Sequence, residues 1–389
     1  MKGRELKAYI SCNGCEDGRL ASAYVERFFR LNGFILTRDL SEADLIVFYA
    51  CGLTEERENA SLAIIKKLKS RIKSSASFIV WGCLPKINPQ ALSTIYDGPL
   101  VGPKDTTFFE KVLEKPTISF DEISANSLVP KETIYTNLID RLTEYINKYE
   151  YRSTFFIQVA AGCTGHCTYC SERCARGRIS SRPMERIVSE FSIGLRMGYK
   201  HFFLVADDLG PYGVDKGCNL VDLLEKLVRI DGENDYKIIM NQISPLYLKE
   251  FLPGLEEVFN SGKIGFVGCP VQSGSDRILN LMGRRYAVND WKECTQRFSR
   301  KFPQIHLGTH LMVGFPTETD EDFNATARIL NHIFLDKVGI FKFSTRPCVY
   351  ASYMPGQIPE RIKESRYRRL FLKGKLNTII KKIQRFLNI

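Results

Sequence analysis

The run GCTGHCTYCSERC, residues 162–174, brings four cysteines and one histidine close together in the chain. Cys163, Cys167 and Cys170 have the spacing C-x3-C-x2-C, with which one loop can turn three thiolates toward a common centre. A structural zinc ion would need a fourth ligand, which His166 or the last cysteine of the run could supply. A four-iron cluster held by three cysteines instead keeps one iron open for a substrate or cofactor. The run therefore predicts a metal site, with zinc as the alternative to an iron–sulfur cluster.

A second group of cysteines lies near the N-terminus, and each of them ends a short apolar run. The runs are KAYISC, DLIVFYAC and SFIVWGC, which end at Cys12, Cys51 and Cys83. Helical patterns separate them, so we predict a parallel α/β sheet with the cysteines at its carboxyl edge, where ligands collect. The alternative is that these cysteines are small buried hydrophobes. Cys15, in the stretch CNGC, is a further candidate ligand beside or in place of Cys12.

The alternation of strands and helices resumes after residue 151. Six runs predict strands with helices between them: TFFIQVAAG, HFFLVADD, YKIIMNQIS, IGFVGCPVQ, IHLGTHLMVGF and IFKFSTR. Six such units predict a barrel, or an open part of one, with functional residues at the carboxyl ends of its strands. The predicted organisation is an N-terminal α/β domain (1–115), a connector with a helix around TNLIDRLTEYINKY (116–151), a partial (β/α)6 barrel (152–358) and a basic amphipathic helix (359–389).

The composition is that of an ordinary globular protein, with 389 residues of which 44% are hydrophobic and 25% charged. No apolar run is long enough to span a bilayer and no secretory signal is recognisable, so we expect a cytoplasmic protein without a membrane partner. In a reducing cytoplasm, clustered cysteines more often bind metal than form disulfides. Of the net charge of +11, residues 361–389 carry ten Lys or Arg against the single acid Glu364. This local basic surface is predicted to meet phosphate or an acidic peptide.

Several stretches resemble one known family. CTGHCTYC resembles the cluster-binding motif of radical S-adenosylmethionine (SAM) enzymes, including the aromatic residue before the last cysteine. Within that superfamily, the chain resembles the methylthiotransferases over residues 7–113 and 153–370. The stretches that carry this resemblance are GRISSRPMERIVSE, PVQSGSDRILNLMGRRY, HLMVGFPTETDEDF and FSTRPCVYASYMPGQIPERIKESR, together with Cys12, Cys51 in YACGLTEERENA and Cys83 in GCLPKIN.

The resemblance implies an enzyme that inserts sulfur, as a methylthio group, at an unactivated C–H bond. It implies two 4Fe–4S clusters and SAM as cofactors, and we expect an electron donor such as flavodoxin or ferredoxin. One cluster would bind SAM and reduce it to a 5′-deoxyadenosyl radical, and the other would carry the sulfur. The family usually has asparagine where this chain has Cys15, so alignment favours Cys12 as the ligand. The implied metal ligands are Cys12, Cys51, Cys83, Cys163, Cys167 and Cys170.

Polar residues at two predicted strand ends are implied to lie near SAM and the substrate. Asp207 and Asp208 end the run HFFLVADD and are predicted to be catalytic-site carboxylates, with helix capping as the alternative for one of them. Gln272 and Ser273 follow another strand and would help to position SAM, with a turn network as the alternative.

The remaining predicted cofactor contacts are one tyrosine and two arginines. Tyr169 is the aromatic residue of the cluster motif. Arg284 and Arg346 are candidates for the SAM carboxylate because a guanidinium fork pairs with a carboxylate, and a surface salt bridge is the alternative for each. Cys174 lies beside the cluster loop, where ligation by its thiolate would close the open iron.

The substrate is harder to predict than the reaction. Family members usually continue into a small β-barrel domain, TRAM, which helps to bind tRNA or a ribosomal protein. Here the sequence instead ends in a basic helix with an apolar stripe formed by Leu372, Leu376, Ile379, Ile380, Ile383 and Leu387. We therefore expect first a peptide or other non-RNA substrate whose acidic residues meet the helix. The alternative is an adenosine of a tRNA anticodon loop, with the helix binding phosphates. In either case the stripe could instead pack on the barrel, with the lysines facing water.

A non-catalytic iron–sulfur or zinc-binding scaffold is the alternative from another class of protein. The intact cysteine motif and the stretches implied to surround SAM argue against it. Failure of the reduced protein to form 5′-deoxyadenosine from SAM would favour it.

Overall fold

The computed structural model describes residues 5–113, 115–129, 153–230 and 235–387. These residues form two parallel sheets, each covered by helices, as the alternation of runs predicted. In the described part of the chain, no helix is both long enough and apolar enough to cross a membrane.

The N-terminal sheet has five parallel strands in the order β2-β1-β3-β4-β5. The central strand, LIVFYA, is buried at all six positions because helices cover both faces of the sheet. The strands are β1 (Lys7–Cys12), β2 (Ile35–Leu36), β3 (Leu45–Ala50), β4 (Ser77–Gly82) and β5 (Leu100–Val101). The helices are α1 (Glu16–Leu31), α2 (Glu55–Lys69), α3 (Leu84–Ile87), α4 (Pro89–Ser93) and α5 (Thr107–Val112), with a short 3-10 turn at Leu40–Glu42.

The beginning of the predicted connector packs against the N-terminal domain. A 3-10 turn at Phe120–Glu122 brings Phe120 against Phe28 of α1, with ring centroids 5.5 Å apart. Ile123 and Val129 are buried in the same core. The helix predicted around TNLIDRLTEYINKY lies outside the described residues.

The second sheet has six parallel strands in the order β13-β12-β11-β10-β9-β6, an open partial barrel as predicted. Its strands are β6 (Thr154–Gln158), β9 (His201–Val205), β10 (Lys237–Met240), β11 (Ile264–Gly268), β12 (His306–Val313) and β13 (Lys337–Lys342), and a two-stranded antiparallel pair lies beside it, β7 (Ala160–Ala161) with β8 (Ser180–Ser181). The helices are α6 (Ser171–Arg176), α7 (Met184–Arg196), α8 (Leu220–Val228), α9 (Pro245–Asn260), α10 (Asp276–Leu281), α11 (Val288–Lys301) and α12 (Asp320–His332), and a 3-10 turn follows at Tyr350–Tyr353.

The last described element is the predicted basic helix, α13 (Glu360–Leu387), but it packs through an unexpected face. Gly374 lies against Val338 and Ile340 of β13, and the buried Asn377 accepts a hydrogen bond from the backbone of Leu335 at 2.9 Å. The apolar stripe faces outward, and the alternative that it packs on the barrel is wrong. Its exposed members include Leu372, Leu376, Ile379 and Ile383, with exposed fractions from 51% to 70%.

Candidate active site

The cysteine loop begins where Gly162 turns the chain away from β7. Gly162 has φ +83°, and a Cβ there would lie 2.3 Å from the carbonyl oxygen of Arg178, so only glycine fits. Three residues later, the backbone N–H of Gly165 donates to Cys163 Sγ at 3.2 Å. This donor stabilises a thiolate at the first cysteine of the motif.

The three cysteines of the motif line one cavity of about 110 Å³ at the carboxyl end of the barrel strands. The sequence predicted that these three cysteines lie together. The other lining residues come from the loop, from strand ends and from helix starts, and most of them are polar. The cavity is lined by Gly162, Cys163, Cys167, Tyr169, Cys170, Glu172, Arg173, Asp207, Asp208, Gln242, Ser244, Pro270, Gln272 and Arg284.

The two predicted carboxylates have different surroundings in this cavity. Asp208 accepts the backbone N–H groups of Gly210 at 3.0 Å and Ser244 at 3.1 Å, yet its burial raises its pKa to about 6. Asp207 accepts the N–H of Gly162 at 2.6 Å and pairs with Arg176. Asp207 is therefore tied to the start of the cysteine loop, whereas the carboxylate of Asp208 accepts hydrogen bonds from backbone groups and feels the charge of Arg284.

Two polar atoms of the cavity-lining residues are buried without a hydrogen-bond partner in the described part of the chain: Gln272 Oε1 and Arg284 Nε. Gln272 also has a left-handed backbone, φ +70°, which is uncommon for a residue other than glycine. The Arg284 guanidinium donates through Nη2 to the hydroxyl of Tyr169. Buried groups left unpaired at such a site are explained by a missing polar ligand. A molecule with a carboxylate and an amino group, such as SAM, fits this donor and acceptor set.

Three residues considered from the sequence lie outside the residues that line this cavity. Ser273 is buried and its hydroxyl is 3.2 Å from that of Thr326, which matches the turn-network alternative. Arg346 is buried against Glu58 of α2, so its position does not favour contact with the SAM carboxylate. Cys174 Sγ donates to the carbonyl oxygen of Cys348 at 3.1 Å. A fourth ligand from Cys174 is not favoured by this contact.

The three N-terminal cysteines meet at the carboxyl edge of their sheet. Cys12 is the last residue of β1, and Cys51 and Cys83 directly follow the neighbouring strands β3 and β4. All three are at most 3% exposed. Asn13 joins two of the loops, because its Oδ1 accepts the N–H of Cys51 at 3.0 Å while its Nδ2 donates to Ser61 at 2.9 Å.

The thiols in this second group are shielded from water and close enough to influence one another. Burial, with a smaller contribution from the neighbouring Cys51, raises the pKa of Cys12 and of Cys83 to about 12. Cys15, which precedes α1, responds to Cys51 and Cys83 in the same way. Cys15 therefore lies with the group and remains an alternative to Cys12.

Three thiols in one cavity, those of Cys163, Cys167 and Cys170, fit the cysteine ligation of a 4Fe–4S cluster with one open iron. Among the residues that the structure describes, no three His, Cys, Asp or Glu side chains are arranged to hold one metal ion. Cysteines around a cluster bind different irons, so they need not meet at one point. Burial raises the pKa of Cys163 to about 11, so cluster binding at this loop is expected to release protons.

A buried arginine between the two cysteine groups was not predicted from the sequence. Arg176, at the end of α6, pairs with Asp207 of the barrel and with Asp17 of α1, and its Nη2 lies 4.0 Å from Cys83 Sγ. Glu172, on the same helix, lines the cavity with a pKa raised to about 7 by burial and by Asp207. The pattern of the helix SERCAR gives no local signal for these distant contacts.

The sequence has relatives that cover most of its length. Residues 157–330 match the model of the Radical SAM superfamily, and residues 7–100 match that of the Uncharacterized protein family UPF0004. The chain is 31% identical to a probable threonylcarbamoyladenosine tRNA methylthiotransferase of Pyrococcus abyssi, over 94% of this chain and 83% of that protein. It is 29% identical to the ribosomal protein uS12 methylthiotransferase RimO of Protochlamydia amoebophila, over 92% and 74% of the two chains.

A solved structure supports the radical SAM fold. The radical SAM methyltransferase TsrM from Kitasatospora setae matches 89% of this chain and 75% of its own with a TM-score of 0.65, at 13% identity. An open six-stranded barrel with a cysteine-lined cavity at its carboxyl end is thus the architecture of a radical SAM enzyme, for which one 4Fe–4S cluster and SAM are implied.

Within that superfamily, the chain belongs to the methylthiotransferase family. The family resemblance and the enzyme class predicted from the sequence are confirmed, and the activity is the transfer of a sulfur-containing group.

Proposed function

We propose that this enzyme transfers a methylthio group to threonylcarbamoyladenosine in tRNA. The observation that carries the proposal is the connection of the two cysteine groups through one side chain. Arg176 touches Cys83 of the N-terminal group at 4.0 Å and pairs with Asp207, which lines the cavity of the other group. A reaction that joins a sulfur donor to a carbon radical needs two such centres close together.

The choice of substrate differs from the first expectation from the sequence. That expectation was a peptide or other non-RNA molecule, which the comparisons do not support. The relative from Pyrococcus abyssi is named for threonylcarbamoyladenosine in tRNA and aligns with 94% of this chain. Two exposed lysines of α13, Lys375 and Lys382, and the partly exposed Lys373 and Lys381 offer positive charge for phosphates.

Each cysteine group has a proposed cofactor. Cys163, Cys167 and Cys170 hold the cluster that meets SAM, and the N-terminal cysteines hold a second cluster. When bound, these groups supply an electron for SAM cleavage and a sulfur atom for transfer, and a second SAM molecule would supply the methyl group. A one-electron donor such as flavodoxin or ferredoxin is the expected partner for reduction.

The protein's own side chains bind and orient SAM. Arg284 meets the carboxylate through its guanidinium, since Nε still lacks a partner in the described residues. Gln272 accepts through its unpaired Oε1, and Asp208 offers a buried carboxylate to the amino group. The surrounding barrel core keeps bulk water from a radical formed in the cavity.

The proposal is tested by anaerobic turnover of the reconstituted enzyme with tRNA that carries threonylcarbamoyladenosine, and in parallel with candidate peptides. Mass spectrometry should find one added sulfur and one added CH2 on the nucleoside. Binding of tRNA should weaken steeply with salt because counterions are released from the phosphates. A peptide product, with unchanged tRNA, would replace the proposed substrate.

Cysteine variants separate the two centres. Alanine at Cys163, Cys167 and Cys170 should halve the iron from about eight atoms per chain and abolish SAM cleavage. Alanine at the three N-terminal ligands should preserve SAM cleavage and stop sulfur transfer, and normal product from that variant would refute the sulfur-donor role. Cys294→Ala, in the barrel core outside both groups, is the matched control.

A further inference from the structure

Arg176 joins the two domains through contacts of both Nη atoms of its guanidinium. It is 4% exposed and follows the motif cysteine Cys170 by one short helix, α6. Nη1 pairs with Asp207 of the barrel, and Nη2 pairs with Asp17 of the N-terminal domain. Nη2 also lies 3.4 Å from the hydroxyl of Tyr49. A guanidinium remains charged even when buried, so a fixed positive charge sits at the interface.

The two carboxylates that hold Arg176 are themselves fixed from the barrel side. Asp207 accepts a hydrogen bond from the backbone N–H of Gly162, with 2.6 Å between nitrogen and oxygen. Asp17 accepts one from Nε2 of Gln158, in β6, at 3.0 Å. Their side chains are 4% and 11% exposed. The position of the guanidinium is therefore determined by both domains together.

The positive charge lies directly against one of the N-terminal cysteines. Arg176 Nη2 is 4.0 Å from Cys83 Sγ, and the hydroxyl of Tyr49 is 3.2 Å from the same sulfur. The reduction potential of an iron–sulfur cluster depends on net charge, on hydrogen bonds to its sulfur atoms and on exclusion of water. All three of these influences converge on Cys83.

We infer that Arg176 is a positioning residue that raises the reduction potential of the cluster bound by Cys12, Cys51 and Cys83. The inference rests on the proposed second cluster. Reduction adds one negative charge to a buried centre, and a neighbouring guanidinium stabilises that charge. The same contacts through Asp207 hold this centre beside the SAM cavity, so Arg176 acts on the reaction without touching the substrate.

The test uses a full-length protein that contains only the second cluster. Alanine at Cys163, Cys167 and Cys170 removes the first site, and a redox titration followed by electron paramagnetic resonance then gives a single midpoint potential. Arg176→Gln in this background should shift the midpoint to a more negative value, because the positive charge is gone. Arg176→Lys keeps the charge and should shift it less.

A change of the opposite sign distinguishes electrostatics from a structural role. Asp17→Asn removes a negative charge from the partner of Arg176, so it should move the midpoint to a more positive value. Loosening of the interface alone would not give opposite shifts for the two substitutions. The matched control is Arg366→Gln, since Arg366 is also buried and paired with two carboxylates, Glu318 and Asp320, but lies away from both cysteine groups.

The outcomes separate this inference from the proposed function. If the background protein binds no cluster after reconstitution, the second cluster does not exist and both proposals are overturned. If it binds a cluster whose midpoint is unaffected by Arg176→Gln, or equally affected by Arg366→Gln, only the role of Arg176 is overturned. If Arg176→Gln does not fold, Arg176→Lys and Asp17→Asn decide, and shifts of the same sign would refute the inference.

Discussion

Asp207→Asn is the substitution that tests most directly how the two domains are held together. It removes one of two negative charges that face the buried guanidinium of Arg176. The asparagine amide oxygen can still accept the N–H of Gly162, so the start of the cysteine loop keeps its hydrogen bond. The perturbation is therefore mainly the loss of one buried ion pair.

The magnitude follows from the burial of the pair. Removal of one partner of a buried ion pair costs about 3–5 kcal/mol, because the other charge is left uncompensated. Here Asp17 still compensates the charge of Arg176 and is relieved of repulsion from Asp207, so we expect a smaller loss, about 2 kcal/mol. With a urea dependence of about 3 kcal/mol per molar, the unfolding midpoint should fall by about 0.7 M.

The measurement is urea unfolding of the cluster-free protein, followed by circular dichroism and by fluorescence of its two tryptophans. Trp81 reports on the N-terminal domain, where it packs edge-on against Tyr49 with ring centroids 4.9 Å apart, and Trp291 reports on the barrel core. Glu256→Gln is the control, since Glu256 also meets two cations, but these cations, Arg297 and Lys301, are 61% and 44% exposed. It should change the midpoint little.

An unchanged midpoint for Asp207→Asn would refute the reasoning. It would mean that the Arg176 pairs do not support the interface in solution. An equal fall for both variants would show that the loss is general to paired carboxylates and does not depend on burial.

Three further predictions concern separate parts of the molecule. Burial lowers the pKa of His310 to about 4, so the contribution of this histidine to stability should fall as the pH drops from about 6.5 to about 4, by up to about 3 kcal/mol; the stability of the wild-type protein relative to His310→Phe should fall by this amount in urea titrations, and a difference that does not vary with pH would contradict it. Gly162→Ala should lose most of the iron bound at its loop, because the new Cβ meets the Arg178 carbonyl oxygen. Gly198→Ala, at a position with φ +84° and open space, should retain its iron. An iron assay compares the two variants, and equal iron in both would be inconsistent with the steric argument. Arg284→Gln should weaken SAM binding at least about 10-fold in equilibrium dialysis, and an unaltered affinity would remove Arg284 from the site.

The strands and the cysteines at their ends were predictable because the signals are local. A short apolar run with β-branched and aromatic residues specifies a buried strand wherever it lies in the chain. Cys12 accordingly ends β1, and Cys51 and Cys83 directly follow β3 and β4. The C-x3-C-x2-C spacing likewise predicted that Cys163 and Cys167 lie in one loop, and both line the same cavity.

The contacts of individual side chains were less predictable because they join distant segments. Arg346 pairs with Glu58, which lies 288 positions away in the sequence. Neither residue type nor spacing could distinguish this pair from a SAM contact. Ser273 was predicted to help position SAM, yet its hydroxyl lies 3.2 Å from that of Thr326 in α12.

The C-terminal helix shows how a correct element can still present an unexpected face. The sequence predicted a basic amphipathic helix, which α13 confirms. Its protein-facing side carries one apolar residue, Leu370, among charged, small and polar ones, Lys363, Arg366, Gly374 and Asn377. Close approach of Gly374 to β13 and hydrogen bonds from and to Asn377 hold this side against the barrel. An apolar stripe therefore does not by itself identify the buried side of a helix.

By itself, the sequence determined the reaction class. Three cysteines with a fixed local spacing, followed in order by several stretches that resemble one family, indicate radical SAM chemistry. Only the tertiary structure decided how the two cysteine groups are related. Their separation depends on strand ends from two different sheets and on Arg176, whose charge is balanced by Asp17 and Asp207 from opposite sides of the interface. Such a balance requires segments far apart in the chain to be buried together, and no local pattern specifies that.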